Sequence, residues 1–185
     1  MMSDTDPRDE IIEHLPAMRA FAMSLTRNAT LADDIVQDTV VKAWTNFHTY
    51  KHGTKLRAWL FTILRNSLYS HHRKLAREVE DVDGAFAAKL TVKPSHDGRI
   101  MLSEVMDAFE KLSVEQREVL LLVGASGFSY EEAAEMCGVS LGTIKSRMSR
   151  GRSALSAMLG YGEDEDFEVA DQHTKAIMSG NNNAA

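Results

Sequence analysis

Lys145, Arg147, Arg150 and Arg152 lie in a stretch, 140–160, that contains no acidic residue. Just ahead is SYEEAAEMCG (129–138). Its Ser129 and Glu132 have the spacing of a capping box, and its Gly138 suits the left-handed residue of a tight turn. Ser140 is then placed to cap a second helix. Ala133, Ala134, Val139, Ile144, Met148 and Leu155 supply small and apolar positions at helical spacing, so the two helices can cross closely. Thr143, Lys145, Ser146, Arg147 and Arg150 fall on the opposite face. The pattern predicts a helix-turn-helix, whose second helix offers its N-terminal half to base edges in a major groove. Thr143, Lys145 and Arg147 are expected near bases, and Ser140, Arg150 and Arg152 near phosphates.

A different chemistry is suggested between residues 56 and 77. Leu56, Trp59, Leu60, Ile63, Leu64 and Ser67 share one helical face, while Phe61, Arg65, Tyr69 and His72 recur on another. Rings interleaved with cations suit unpaired bases, because each base stacks on an aromatic face while the cations follow the backbone. His48, Tyr50, Lys51 and His52 precede this helix and suggest a pocket for an everted base.

The elements that must carry these groups read as all-α, in two small domains. Helices are predicted over 8–26, from after Thr30 to about 47, and over 56–77. In the first, Ile11, Ile12, Leu15, Met18, Ala22 and Leu25 point inward, and Thr30 is expected to cap the second. Residues 48–54 read as a loop. Residues 78–98, with several acids, Gly84, Pro94 and Gly98, read as a linker with one helical turn near 85–90. Periodicity returns at 100–112, and Ser113 with Gln116 forms another capping box opening a helix to about 122. The expected domains are 1–77 and 99–160, followed by an acidic, disordered tail over 161–185.

Overall charge is −6, yet it is segregated. No acid occurs from 39 to 77, where Lys42, Lys51, Lys55, Arg57, Arg65, Arg73, Lys74 and Arg77 lie. Polyanion binding follows local potential and not the total, and an ordinary solvated face would mix both signs. No apolar run approaches the roughly 18 residues that cross a bilayer. The acidic N-terminus is unlike a secretory signal, and the single Cys137 excludes an internal disulfide, so a cytoplasmic setting is expected. No cofactor or metal is expected. His71 and His72 are adjacent on a helix and diverge, and Asp33, Asp34 and Asp38 suit a protein-binding face better than a cation site. No nucleophile–base pair or phosphate-binding glycine loop is visible, so catalysis is not expected.

Taken in order, ADDIVQDTVVKAW, LRAWLFTILRNSLYSHHRK and VSLGTIKSRMSRGR resemble the core-binding, −10 and −35 segments of extracytoplasmic-function (ECF) sigma factors. RAWLFTILRN, REVEDVDG and LVGASGFSYEEAAEMCG further resemble the EcfG type of the alphaproteobacterial general stress response. The resemblance implies that Asp34, Ile35, Gln37 and Asp38 meet the β′ clamp helices of core RNA polymerase, with the β flap as a second contact. It implies that Trp59, Thr62, Arg65 and Asn66 open and read the −10 element; Arg57, Phe61, Tyr69, His72 and Arg73 of the same basic aromatic helix complete the expected −10 surface. Ser140, Thr143, Lys145, Ser146, Arg147, Arg150 and Arg152 serve the −35 element of promoter DNA. An anti-sigma factor of NepR type is implied as a regulator.

Two other binding readings compete: a sigma-like decoy and an ordinary helix-turn-helix regulator. A decoy has little use for the basic recognition helix, and a simple regulator leaves the basic aromatic helix unexplained. Promoter elements about 17 base pairs apart lie about 58 Å from one another along the axis. A relaxed linker of roughly twenty residues spans only about 25 Å. Polymerase would therefore have to hold the domains apart.

Overall fold

Helix α1 runs over Ile11–Thr26 and ends in Arg27, whose left-handed backbone returns its N–H to the Met23 carbonyl. Asn28 then caps α2, Ala29–Thr45, its side chain accepting from the Leu31 N–H. The cap is therefore Asn28 and not Thr30, because only Asn28 combines an extended backbone with a side-chain oxygen one turn below a free N–H. A 3-10 turn, Phe47–Thr49, shortens the predicted second helix and leads to α3, Leu56–Glu80. The computed structural model describes residues 8, 10–51, 53–80 and 97–160, and side chains within them other than those of 75–80 and 97–103. His52, the predicted turn at 85–90 and the predicted tail at 161–185 lie outside the described residues. Among those described there is no strand.

The first three helices pack on one another around Met18, Phe21, Ala22, Ala32, Ala43, Leu60, Phe61 and Leu64, all of them buried. Ile12 was expected inside and is 68% exposed. The inward stripe of α1 runs through Ile11, Met18, Phe21 and Ala22, so neighbouring Ile12 turns outward. Phe61 is also corrected: expected on the outer face, it is 0% exposed and meets Phe21 edge-on, with centroids 5.4 Å apart. Ile35, expected on a partner-facing surface, is 5% exposed in the core stripe of α2 with Ala32, Val36, Thr39 and Ala43.

By contact the chain divides into two units, Met1–Leu90 and Thr91–Ala185. In the second, α4 covers Asp97–Glu110, and α5, Val114–Val119, opens with the reciprocal Ser113–Gln116 capping box. The predicted continuation to 122 is instead a π-helical turn, Leu120–Ala125, which buries Leu120, Leu121 and Leu122. The Ser126 N–H reaches the Leu121 carbonyl at 2.7 Å, the wide i→i+5 closure of such a turn. Then come α6, Tyr130–Cys137, and α7, Leu141–Leu159.

Candidate nucleic-acid interface

The α6–α7 turn forms as its residue types require. Ser129 accepts from the Glu132 N–H at 3.1 Å while the Glu132 carboxylate accepts from the Ser129 N–H at 2.8 Å. Gly138 ends α6 at φ 64°, a conformation that costs a residue with Cβ roughly 1–2 kcal/mol. Ser140 then caps α7 through the Thr143 N–H at 3.1 Å, and the Ser140 and Thr143 hydroxyls lie 2.9 Å apart. Ala133, Ile144, Met148 and Leu155 are buried beneath.

Gly151 is buried, and a Cβ there would lie 3.0 Å from Leu120 Cδ1 and 3.5 Å from Gln116 Cβ. Its missing side chain lets α7 sit down on α5 and the π turn. Lys145, Arg150 and Arg152 are exposed, and Thr143, Ser146 and Arg147 half-buried. The first turn of α7 carries no acid, so the positive end of the helix dipole adds to these cations. Ser146 donates to the Thr143 carbonyl at 3.0 Å. Glu115, at the start of α5, has its carboxyl held below its ordinary range by hydrogen bonds from its own backbone and from Ser113, with further help from Arg147.

The face of α3 is built differently. The Arg65 guanidinium stacks over the Tyr69 ring at 4.5 Å, and Arg57 lies 5.4 Å from the centroid of Phe61. Asn66, His72 and Arg73 are exposed. The Thr62 hydroxyl donates to the Ala58 carbonyl at 2.9 Å. Trp59 is half-buried in an aromatic cluster, 5.9 Å from Phe47 and 5.4 Å from Tyr50. Tyr50 is buried, and its hydroxyl donates to the Thr54 carbonyl at 2.6 Å. It therefore buttresses Trp59, where part of a pocket for an everted base was expected; His48 and Lys51 are exposed beside it.

On α2 the three polar residues predicted to meet a partner, Asp34, Gln37 and Asp38, are exposed. The periodicity reading missed their surroundings. Leu15, Pro16, Val36, Val40 and Val41 line an open apolar groove of about 790 Å³ between α1 and α2. Arg19 bridges this groove to Asp33, with nitrogen–oxygen distances of 2.6 and 3.3 Å. Val41 is 63% exposed and Trp44 54%. The available signal was Val40–Val41, two adjacent apolar residues of which an amphipathic helix buries only one. Among the described residues no group of acidic, histidine and cysteine side chains could hold a metal, and no helix is long and apolar enough to cross a membrane.

Comparison with known proteins assigns both halves. Residues 11–78 match the Sigma-70 region 2 family, and residues 102–155 match the Sigma-70, region 4 family. The chain is 49% identical over 174 residues to the ECF RNA polymerase sigma factor EcfG of Rhodopseudomonas palustris (strain TIE-1), spanning 94% of this chain and 96% of that protein. It resembles the sigma factor RpoE solved in complex with the anti-sigma factor NepR from Bartonella quintana, with a TM-score of 0.76 at 48% identity over 86% of this chain and 99% of that one. CnrH, solved in complex with the cytosolic domain of CnrY, matches with a TM-score of 0.61 at 30% identity, over 82% and 86% of the two chains. With region 2 on its basic aromatic helix and region 4 on its helix-turn-helix, the chain belongs to the ECF RNA polymerase sigma factors.

Proposed function

We propose that this sigma factor recruits core RNA polymerase to promoters through three surfaces. Asp34, Gln37 and Asp38 meet the β′ clamp helices, with exposed Val41 and Trp44 extending the contact; Ile35, being buried, supports that surface from beneath. Arg57, Thr62, Arg65, Asn66, Tyr69, His72 and Arg73 serve the opened −10 element, with Trp59 wedged behind them. Phe61 acts only through the core. Thr143, Lys145, Ser146, Arg147, Arg150 and Arg152 read the −35 duplex, with Ser140 fixing the helix start, and the same domain contacts the β flap. The domain over 1–77 carries the first two surfaces and that over 99–160 the third, with 78–98 as the linker. The protein works in the cytoplasm and has no catalytic chemistry of its own; bond formation belongs to polymerase.

The observation that carries this reading is that two acid-free basic stretches, residues 56–77 of α3 and the whole of α7, lie in separate units and differ in kind: one pairs its cations with rings, and the other presents them beside a capped N-terminus. Multiple-round run-off transcription with core enzyme tests it. Promoter-dependent transcript is expected only when the factor is added. A factor that binds core and yields no transcript from any promoter selected on the holoenzyme would defeat the reading and favour a decoy.

An anti-sigma factor of NepR type is proposed as its regulator, and general stress genes as its targets. The RpoE relative bound to NepR supports this. A NepR-type protein is expected to suppress the run-off product in proportion to its concentration, and unchanged transcription at excess NepR would remove that regulator.

A further inference from the structure

Lys42 stands at the seam between α2 and α3. Its ammonium donates to Asp38 Oδ2 at 2.5 Å, one turn back on α2, and to Ser67 Oγ at 3.0 Å, across on α3. The Lys42 and Asp38 side chains are 44% and 50% exposed, whereas Ser67 is 4% exposed. One cation therefore joins a solvent-facing carboxylate to a buried hydroxyl on another helix. Ser67 lies in the turn of α3 that also carries Arg65, Asn66 and Tyr69. An exposed i,i+4 ion pair by itself contributes little. The second bond, to the hydroxyl of a residue only 4% exposed, changes its role: Lys42 cannot follow Asp38 freely without giving up its bond to Ser67.

The geometry points to Lys42 as a positioning residue that couples the polymerase-facing carboxylate of Asp38 to the DNA-facing turn of α3. This rests on the proposed clamp contact of Asp38. A clamp cation that engages Asp38 competes with Lys42 for the same carboxylate, and the ammonium then leans on Ser67. Polymerase binding and the setting of Arg65, Asn66 and Tyr69 are thereby linked through one side chain. Ser67 is buried and does not itself face DNA, so in this arrangement it acts on opening through its bond to Lys42.

The test uses the full chain with core polymerase and measures three quantities for each variant: core affinity by competition, promoter opening at saturating factor by permanganate reactivity of unpaired thymines, and Tm. Asp38→Asn is expected to weaken core affinity. Ser67→Ala is expected to keep core affinity within about twofold while lowering opening about threefold, the size of coupling usual between directly bonded neighbours. Lys42→Met is expected to lower both, and Lys42→Arg, which retains a cation and several donors, to restore opening. If Asp38→Asn weakens core binding while Ser67→Ala and Lys42→Met open promoters normally at saturation, the coupling is wrong and the clamp contact stands. An opening defect that tracks Tm and is not restored by Lys42→Arg also overturns it, as a merely structural effect. Unchanged core affinity in Asp38→Asn removes the clamp contact, and the coupling with it.

Discussion

Residues 56–77 of α3 and the whole of α7 are both basic and acid-free, yet they deploy their cations in opposite ways. On α3 the guanidinium of Arg65 lies on the Tyr69 ring and Trp59 is locked against Phe47 and Tyr50, so charge and aromatic surface form one sheath. On α7 the exposed face has no ring at all; Lys145, Arg150 and Arg152 stand out from a helix whose first turn is organised by Ser140 and Thr143. A strand with unpaired bases rewards the first arrangement, because stacking needs a flat apolar partner. A closed duplex offers edges and phosphates, and rewards the second. The two helices carry similar charge, and what separates them is whether that charge is paired with aromatic surface.

The sharpest way to break this comparison is through Phe61, which by spacing belongs to the α3 outer face and by burial does not. Phe61→Ala is expected to cost about 3–5 kcal/mol of stability, as for other buried phenylalanines, and to unfold the first unit in denaturant well before the second. A Phe61→Ala chain of normal stability with a pure promoter-opening defect would return this ring to the DNA face. Next is Arg147→Ala, expected to cost about 1–3 kcal/mol in −35 binding by holoenzyme and to relax base preference at one position. Arg152→Ala should instead weaken binding evenly across sequences and reduce the salt slope by about one ion. Competition binding to −35 variants at several salt concentrations separates the two.

Tyr69→Ala is expected to lose about 1–3 kcal/mol of affinity for single-stranded −10 DNA and almost nothing for duplex −35 DNA, measured by anisotropy with holoenzyme. Equal losses on both probes would erase the distinction between the helices. The smallest effect is on pH. Burial and then Arg57 hold His14 below its ordinary value, against the opposing pull of Glu13 and Glu10. The unfolded chain therefore takes up this proton first. As pH falls through about 6.5 the first unit should lose stability that is fully present at neutral pH. His14→Gln should flatten that part of the Tm–pH curve, and an unaltered slope would assign it elsewhere.

Local signals carried much of the reading. Both capping boxes, the glycine turn at Gly138 and the Ser140 cap stand where residue type and spacing put them, because each is satisfied within four residues. Ile12 and Phe61 were misplaced for one reason: each sits within one position of the border between two helix faces, where a shift of 100° decides inside from outside. Ile35 was set outward by the resemblance alone, while its spacing with Ala32, Val36, Thr39 and Ala43 puts it in the core stripe. The π turn at Leu120–Ala125 left no trace in LLLVGA, since an apolar run reads alike in an α-helix and a wider one. Thr30 was expected to cap α2, and the left-handed Arg27 instead leads into Asn28 in the extended conformation that a cap requires.

By itself the sequence determined the helical class, the placement of the two acid-free windows and the turn chemistry between α6 and α7, all of which depend on neighbours along the chain. Tertiary structure alone decided that Phe61 seals the core against Phe21, that Gly151 seats α7 on Leu120, and that Lys42 spans from Asp38 to Ser67. Those outcomes depend on which helix lies opposite and at what distance. Periodicity along one helix says which residues share a face, and nothing about what that face will meet.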